Sequence, residues 1–361
     1  MPDLLKNRLN RKSLLEFALA IQAAYGSFPV DEFLKSTMDE TWDDMELMAR
    51  GRQINLSLGK YLPADYGAAI GIIDEVIKKY DGFAVYCLPE FVKIYWQDEE
   101  NWDISINAME RYTQYASSEM AVRPFIINHE ERMMAQMYAW SKHENEHVRR
   151  LASEGCRPAL PWAPAINSFK KDPTPIIPIL EQLKTDPSPY VRNSVANNLN
   201  DISKTHPNLV VKLARAWYGK NERTDWIVKH GCRTLLKKGN NDALAIFGLY
   251  GSTSVDVVDF ALGADAISLG DDIVFSFAVL ANEAAKIRIE YGVDYVKSNG
   301  KRNRKIFQIS EISLKENQKK CYTKTHSFAD VSTRKHYPGT HSIALIVNGA
   351  ECGKLDFHLD A

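Results

Sequence analysis

The sequence has few cysteines, and their spacing suits neither of the structures that cysteines commonly build. Five cysteines are scattered through 361 residues, and no two form a C-x-x-C pair. An odd number without regular spacing argues against a disulfide framework and against a zinc site. We therefore expect a protein of a reducing cytoplasm that needs neither a metal ion nor an organic cofactor.

Long hydrophobic runs are also missing. No apolar stretch approaches the roughly 18 residues that a membrane-spanning helix requires. The first residues, MPDLLKNRLNRKS, are charged throughout and so differ from a secretory signal peptide. These two absences predict a cytoplasmic protein without a membrane partner.

An excess of charge of one sign is lacking too, since the formal net charge is −1. That value argues against a nucleic-acid partner only if the charge is evenly spread, and it is not. Residues 255–296 hold eight acidic and two basic residues, whereas residues 297–341 hold eleven basic and three acidic ones. A local basic surface can bind nucleic acid whatever the average charge is.

What the sequence does contain is one unit that occurs twice between Glu146 and Asn208. Each copy is a polar turn, a Val-Arg pair and an amphipathic helix, and Arg149 and Arg192 lie about 43 residues apart, within the 40–47 typical of two-helix repeats. A looser third copy, TDWIVKHGCRTLLKK, follows. Such units stack on one another because none can bury its apolar face alone. The apolar stripes are Val148, Leu151, Ala152 and Gly155 in the first copy, and Val191, Val195, Leu199 and Ile202 in the second. We predict an all-α, HEAT-like helical-repeat solenoid whose inner wall is lined by one helix of each pair.

The polar faces of these inner helices are candidates for function. Arg150, Glu154 and Arg157 are spaced i, i+4 and i+7, so they should meet on one face of the first helix. The third copy should carry a row of bases at i, i+4 and i+8. A basic wall interrupted by carboxylates is typical of a nucleic-acid surface at which chemistry also takes place. The candidates on the three helices are Arg149, Arg150, Glu154 and Arg157; Arg192 and Asp201; and Lys229, Arg233 and Lys237.

Two further candidates lie outside the repeated helices. Trp162 falls in the proline-rich stretch PALPWAP, which cannot continue a helix and should hold the ring at the mouth of the groove. Glu119 begins the segment SSEMAVRPFIINH, where an acid is also favoured by the helix dipole alone. A structural and a functional interpretation of Glu119 both stay open from the residues alone.

After residue 252 the hydrophobic pattern changes to a period of two. Seven short alternating segments with turn signals between them predict an all-β, immunoglobulin-like sandwich without its disulfide. We expect a helical-repeat domain over residues 1–252 and the sandwich over residues 253–361. The hairpin from Lys297 to Lys305 is strongly basic, with Asn299-Gly300 as its turn. It is either a solvated tip or a phosphate-contacting loop through Lys301, Arg302, Arg304 and Lys305.

The stretches HVRRLASEGCRPALPW and DPSPYVRNSVANNLNDISKTHP resemble the AlkC branch of the AlkC/AlkD family of DNA alkylation repair glycosylases. The resemblance extends to MELMARGRQINLSLGKYLPADY and SSEMAVRPFI, and the sandwich is similar to a domain that many AlkC-type members carry. It implies an N-glycosylase that releases cationic bases, chiefly 3-methyladenine and 3-methylcytosine, from duplex DNA. It also implies that the lesion is not swung into a pocket.

The chemistry implied by the resemblance can be matched to residue types. Alkylation at N3 already makes the base a cationic leaving group, and the transition state has oxocarbenium character on the sugar. Carboxylates stabilise that charge and orient water, and aromatic faces attract cations. The resemblance assigns this role to Glu119, Glu154, Asp201 and Trp162. It leaves the phosphates of duplex DNA to be bound by Arg149, Arg150, Arg157, Arg192, Lys229 and Arg233. We expect the protein to act at the nucleoid and to need no obligate protein partner.

Other interpretations remain. A helical-repeat scaffold that binds DNA or protein without catalysis is the main alternative, because solenoids commonly serve that purpose. Glu154 would then be a solvated ion pair of roughly 0–1 kcal/mol. Trp162 would merely plug the stack, and Asp201 would be an acid at the end of a helix that disfavours it.

Overall fold

The first two thirds of the chain consist of short helices joined by polar turns. The computed structural model describes residues 4–96, 99–249, 255–331 and 334–361. The α-helices of these residues are α1 Arg11–Ala24, α2 Val30–Thr37, α3 Leu47–Tyr61, α4 Tyr66–Lys79, α5 Pro89–Tyr95, α6 Trp102–Tyr112, α7 Arg123–Asn128, α8 Glu130–Trp140, α9 Glu146–Glu154, α10 Asn167–Lys171, α11 Ile177–Leu183, α12 Pro189–Ile202, α13 Pro207–Trp217, α14 Glu222–Gly231, α15 Arg233–Lys237 and α16 Asn241–Ile246.

The predicted helical repeat is confirmed. Helix α8 packs on α9, α11 packs on α12, and α12 packs on α9. The stripe residues of both copies are buried, as the heptad-like spacing predicts. The first copy begins at Asn145, whose side chain accepts a hydrogen bond of 2.8 Å from the backbone N–H of His147 and caps the helix. The second begins with Pro189 in the first turn, where a missing N–H has no cost.

The third copy departs from the prediction of one continuous helix. It is divided at Cys232, whose φ of −81° and ψ of 0° separate α14 from α15. Lys229 therefore lies on one helix while Arg233 and Lys237 lie on the next, and the predicted basic row at i, i+4 and i+8 does not form. A helix-period pattern alone does not reveal such a break.

The C-terminal part is the predicted sandwich. Its strands are β1 Val255–Leu262, β2 Ala266–Ser268, β3 Asp272–Ala281, β4 Ala285–Val296, β5 Arg302–Leu314, β6 Lys319–Ser327, β7 Gly339–Val347 and β8 Ala350–Asp360. One sheet has the order β1-β3-β6 and the other β2-β8-β7-β4-β5. All seven predicted strands are present, and the short β2, which pairs parallel to β8, is the one that the alternation did not predict.

The sandwich core lies between the two sheets. Phe275 and Val279 of β3 face Ile289 and Val293 of β4 and Leu345 of β7, all buried. The Asn299-Gly300 turn joins β4 to β5 as predicted, with Gly300 at a φ of 74° that favours glycine. Strand β5 is an edge strand and places its first residues in solvent.

The chain divides into two compact units. Within the described residues, one unit comprises residues 1–205 and 221–227, and the other comprises residues 206–220 and 228–361. The predicted boundary between residues 252 and 253 lies outside the described residues and stays a prediction. Within the described parts of the chain, no helix combines the length and the apolar character needed to cross a bilayer.

Candidate active site

Three acidic and two basic side chains of the first unit alternate in one chain of ion pairs, which we call the carboxylate row. Arg150 binds Glu119 through Nη1, and its Nη2 lies 3.4 Å from Oε1 of Glu154. Arg157 donates from Nη1 to the same Oε1 at 2.7 Å. Its Nε donates to Oδ2 of Asp201 at 2.9 Å. The row therefore runs Glu119–Arg150–Glu154–Arg157–Asp201 and brings all three predicted carboxylates together.

The row is a buried structure and not a solvated surface pair. The side chains of Glu154 and Asp201 are 7% and 2% exposed, and that of Arg157 is 9% exposed. Burial opposes the positive charge of Arg157, but the two carboxylates outweigh it, and the pKa of Arg157 is raised above its ordinary value. Because each charge has a partner of opposite sign, the row can exist away from water.

The carboxylates of the row differ in which oxygens remain free. Both oxygens of Asp201 are engaged, since Oδ1 also accepts from Lys204 at 2.8 Å. Glu154 binds both arginines through Oε1 alone, and Glu119 binds Ser117 and Arg150 through Oε2 alone. Among the described residues nothing donates to the second oxygen of either glutamate. Those two oxygens can accept from a water or face a cation.

Close helix packing puts the row in place. Gly155 follows α9, and a Cβ there would lie 2.5 Å from Cγ2 of Val122 and 2.8 Å from Cε of Met137, so only glycine fits. Asn198 of α12 is fully buried and donates to the backbone oxygen of Ser153 at 2.8 Å. This hydrogen bond fixes α12 against α9 and thereby sets Asp201 beside Arg157.

Arg123 holds the segment that follows α9. The residue is 2% exposed and donates to the backbone oxygens of Gly155 and Arg157 at 3.0 and 2.9 Å. Its Nε and Nη2 donate to Pro164 at 2.9 and 2.6 Å. Burial lowers the pKa of Arg123 to about 10, so the guanidinium stays charged at neutral pH. One side chain thus ties the end of α9 to the far end of the proline-rich turn.

That turn presents Trp162 to solvent. The residue is 77% exposed and has a φ of 63°, a conformation that costs a bulky residue on the order of 1–3 kcal/mol. Its ring lines a cavity of about 280 Å³ together with Glu119, Met120, Met48 and others. A ring that is mostly exposed and held at such a cost contributes little as a plug of the stack.

Tyr190 supports the same row from α12. The guanidinium of Arg150 lies 4.9 Å from the centre of its ring, close enough for a cation–π contact. Burial raises the pKa of Tyr190. Arg150 is therefore held by two carboxylates and an aromatic face at once.

The repeated arginines have a structural role that the sequence did not reveal. Arg149 donates from Nη1 to the backbone oxygens of His143 and Glu144 at 2.9 and 2.7 Å. Arg192 donates in the same way to Asp186 and Pro187, at 2.8 Å each. In both copies the arginine thus binds the carbonyls six and five residues before it. We call this pair of contacts the arginine clasp; it closes the turn that begins each inner helix.

The other predicted phosphate ligands of the solenoid also have partners inside the protein. Nζ of Lys229 lies 2.6 Å from Oε2 of Glu311 and 4.2 Å from the ring centre of Phe247, and burial lowers its pKa. Arg233 donates to the backbone oxygen of His230 at 2.7 Å. Both lie in the second unit.

The four bases of the hairpin fall into two groups. Arg304 binds both oxygens of Asp294 at 2.7 and 2.8 Å and also binds Glu351. Arg302 donates to Oγ of Ser342 at 3.0 Å. Lys301 and Lys305 are exposed and form no ion pair within the described residues. Two of the four are thus bound into the sheet and two point into solvent.

Sequence reasoning missed Arg123, Tyr190 and Lys204, which support the row from other elements. Only Arg123 carried a signal, because a basic residue within the otherwise apolar AVRPFII is more often buried and bonded than exposed. The partners of Arg123 lie 32 to 41 residues away, a separation at which no local rule predicts contact.

A helical repeat with buried carboxylates, followed by an immunoglobulin-like sandwich, defines a class of DNA alkylation repair proteins. The model of the DNA alkylation repair enzyme family matches residues 93–235. A second model, the C-terminal Ig-like domain of the uncharacterised protein YhaZ, matches residues 256–361. The first model thus matches part of the helical repeat, and the second matches the sandwich.

Two whole-chain relatives narrow the class further. Uncharacterized protein YhaZ of Bacillus subtilis (strain 168) is 44% identical over 355 residues, which are 98% of this chain and 99% of that protein. The alkylpurine DNA glycosylase AlkC of Pseudomonas fluorescens, solved bound to DNA containing an abasic site analog, has a TM-score of 0.95 and 35% identity, covering 99% of this chain and 100% of AlkC. The chain therefore belongs to the AlkC branch of the AlkC/AlkD family of DNA alkylation repair glycosylases.

Proposed function

We propose that the protein is a DNA N-glycosylase that hydrolyses the glycosidic bond of cationic alkylated bases, 3-methyladenine and 3-methylcytosine, in duplex DNA. The observation that carries this proposal is the carboxylate row, in which Glu119 and Glu154 each keep one carboxylate oxygen free of hydrogen bonds with the described residues. The likeness to a glycosylase solved with DNA that contains an abasic site analog supports the choice of partner. A scaffold without catalysis has no need of a buried alternation of five charges, which costs several kcal/mol per ion to desolvate.

In this proposal the free oxygen of Glu154 carries the chemistry. As the bond to the cationic base breaks, positive charge develops on the deoxyribose, and a carboxylate oriented beforehand stabilises that charge. Glu119 is the second candidate, because it lines the same cavity as Trp162. One of the two oxygens also orients the attacking water. No general acid is required, since the base leaves as a neutral molecule from its cationic form.

The remaining members of the row are positioning residues. Arg157 cannot serve a phosphate well, because its Nε, Nη1 and Nη2 are all directed at Glu154 and Asp201. We therefore propose that Asp201 acts through Arg157, which it orients toward Glu154. Trp162 offers its exposed face to the charged base or sugar.

We also propose that excision proceeds without base flipping. The resemblance to the AlkC branch supports this proposal. The cavity beside Trp162, which is lined by Phe83, Tyr86, Met48 and Met120 as well as by Glu119, is where an extruded base would otherwise stack. A 2-aminopurine placed opposite the lesion should consequently show no large rise in fluorescence on binding. The predicted cytoplasmic, nucleoid-bound location stays part of this proposal.

The deciding experiment measures base release from methylated duplex DNA under single-turnover conditions. Glu154→Gln keeps the shape but removes the charge, and we expect excision to slow on the order of 10²-fold with DNA affinity retained. Asp201→Asn should slow it similarly, because Arg157 loses its anchor.

The matched control is Glu131→Gln on α8, an exposed acid that forms no ion pair with the row, which should excise at the normal rate. If the wild-type protein released no methylated base, the glycosylase proposal would be wrong. If Glu154→Gln excised normally, the row would not be the catalytic group.

A further inference from the structure

A second charged cavity lies in the sandwich. It has a volume of about 420 Å³ and is lined by Tyr295, Lys297, Lys305, Arg334, Lys335 and others. No acidic side chain is among its lining residues. We call it the basic pocket.

The four cations of the basic pocket have no acidic partner. Lys297, Lys305, Arg334 and Lys335 line the pocket and form no ion pair with any carboxylate in the described part of the chain. Several other bases of the sheet are paired with acids: Arg302 with Asp356, Arg304 with Asp294 and Glu351, and Lys354 with Asp294. Four bases around one cavity without an acidic lining residue repel cations there and attract an anion.

The floor of the pocket is rigid. Arg334 lies 4.6 Å from the ring centre of Tyr295 and donates to its Oη at 2.7 Å. That hydroxyl is 2.6 Å from Nε2 of His326, whose Nδ1 is 2.9 Å from Oη of Tyr291. Tyr295 and His326 are each 8% exposed.

The histidine between the two tyrosines is uncharged. Burial lowers the pKa of His326 to about 4, so the ring is neutral near neutral pH. It therefore donates a hydrogen bond from one ring nitrogen and accepts one at the other. The ring thus binds both tyrosines, and Tyr295 in turn binds the guanidinium of Arg334.

We propose that the basic pocket binds a phosphate group, with Arg334 as the oriented ligand and Lys297, Lys305 and Lys335 as mobile cations around it. A guanidinium presents a planar set of donors that matches phosphate oxygens, and lysines add charge at the rim. The phosphate comes either from the backbone of duplex DNA or from a free phosphate or nucleotide. The DNA source rests on the proposed function, whereas the pocket itself does not.

The test uses the full chain with Lys297→Gln and Lys335→Gln combined. Both side chains are exposed, so the Tm should be unchanged. The control combines Lys315→Gln with Lys320→Gln, which removes the same charge from the same domain. Lys315 is roughly 30 Å along β5 from Lys305, at about 3.3 Å per residue.

Two measurements separate the two sources. If the pocket holds a backbone phosphate, the fall in affinity for an undamaged duplex with salt should become shallower by roughly 0.9 log units per decade in the pocket variant but not in the control. If it holds free phosphate, the slope should stay the same, while the ³¹P line of inorganic phosphate broadens with wild type and control but not with the pocket variant.

An unchanged slope together with unchanged phosphate binding would overturn the proposal. A failure of the proposed function looks different: the wild-type protein would release no methylated base, yet the pocket variant would still differ from its control in one of these two measurements.

Discussion

At the scale of single residues, Trp162 has a backbone conformation that is unfavourable for the stability of the fold. Its backbone has a φ of 63° and its ring is 77% exposed, so the residue strains the turn and adds no buried side chain to the core. Arg123 holds the turn from beneath through Pro164. The energetic cost of the conformation is thus offset by a buried arginine that also binds the end of α9.

Trp162→Gly is the variant that separates stability from activity at this position. Glycine adopts a positive φ without strain, so we expect the Tm to stay the same or to rise by an amount equivalent to about 1 kcal/mol. Excision should slow on the order of tenfold, since the lost cation–π attraction corresponds to about 1–2 kcal/mol. Single-turnover kinetics and calorimetry measure the two effects.

Trp162→Tyr is the control, because it keeps an aromatic face in the strained conformation and should keep most of the excision rate. A glycine variant that lost stability and excised normally would show that the ring is structural.

The residue scale also shows where sequence reasoning ends. The contacts of Arg150 and Arg157 with Glu154 were predictable, because residues three and four apart on a helix are neighbours. The contact of Arg157 with Asp201 spans 44 residues and depends on how α12 packs on α9. The sequence accordingly suggested phosphate binding for an arginine that the structure shows between two carboxylates.

At the scale of the helical element, the arginine clasp explains why the Val-Arg pair occurs twice. The clasp satisfies two carbonyls of a turn that would otherwise need water, and an arginine is long enough to reach back five and six residues. The pattern therefore marks how a repeat begins, and the clasp accounts for it without a DNA contact. Repetition in a sequence signals shared structure first.

Arg192→Gln tests this interpretation. We expect the free energy of unfolding to fall by about 0.5–1.5 kcal/mol, since two carbonyls of the turn, one of them exposed, lose a charged donor. The salt dependence of DNA affinity should not change. Lys170→Gln on α10 is an exposed control that should alter neither quantity. A shallower salt slope with unchanged stability would return Arg192 to the DNA surface.

At the scale of the strand, Asp294 of β4 is the acid that secures Arg304 of β5. Its hydrogen bonds with Arg304 lower the pKa of Asp294 from 3.8 to about 2. Because the folded state binds the proton more weakly than the unfolded state, the stabilisation is complete above about pH 4 and is lost as the pH falls toward 2. The shift corresponds to about 2 kcal/mol.

Asp294→Asn should therefore lower the Tm of the sandwich transition near neutral pH and remove much of its dependence on pH below about 4. Calorimetry over that acid range measures both. Asp265→Asn, an exposed acid of the same domain without a side-chain partner in the described residues, is the matched control. Parallel Tm curves for wild type and Asp294→Asn would contradict the assignment.

At the scale of the whole molecule, the alternating pattern predicted the strands well but did not define the compact unit that contains them. Period two identifies a strand because its residues alternate between core and solvent. It carries no information about a helix that packs on the end of a sandwich. Residues 206–220 and 228–249 cluster with the strands, and the ion pair of Lys229 with Glu311 is one of the contacts that hold them.

A fragment of residues 206–361 should accordingly unfold at a higher temperature than one of residues 253–361. The shorter fragment leaves Glu311 without Lys229, and Lys286 without the backbone oxygen of Phe247, which it binds at 3.1 Å. Thermal unfolding of the two purified fragments measures the difference. Equal transition temperatures would show that the sandwich is complete from residue 253.

The turn after α15 and the turn between β7 and β8 approach so closely that neither tolerates a side chain. A Cβ on Gly239 would lie 2.8 Å from the backbone oxygen of Gly349, and one on Gly349 would lie 2.3 Å from Cα of Gly239. Both also have a positive φ. The sandwich is thus not an independent module that recombination can add or delete at its first strand. In relatives that lack the sandwich, the position of Gly239 should no longer exclude a side chain, and a comparison of those chains at this turn is the check.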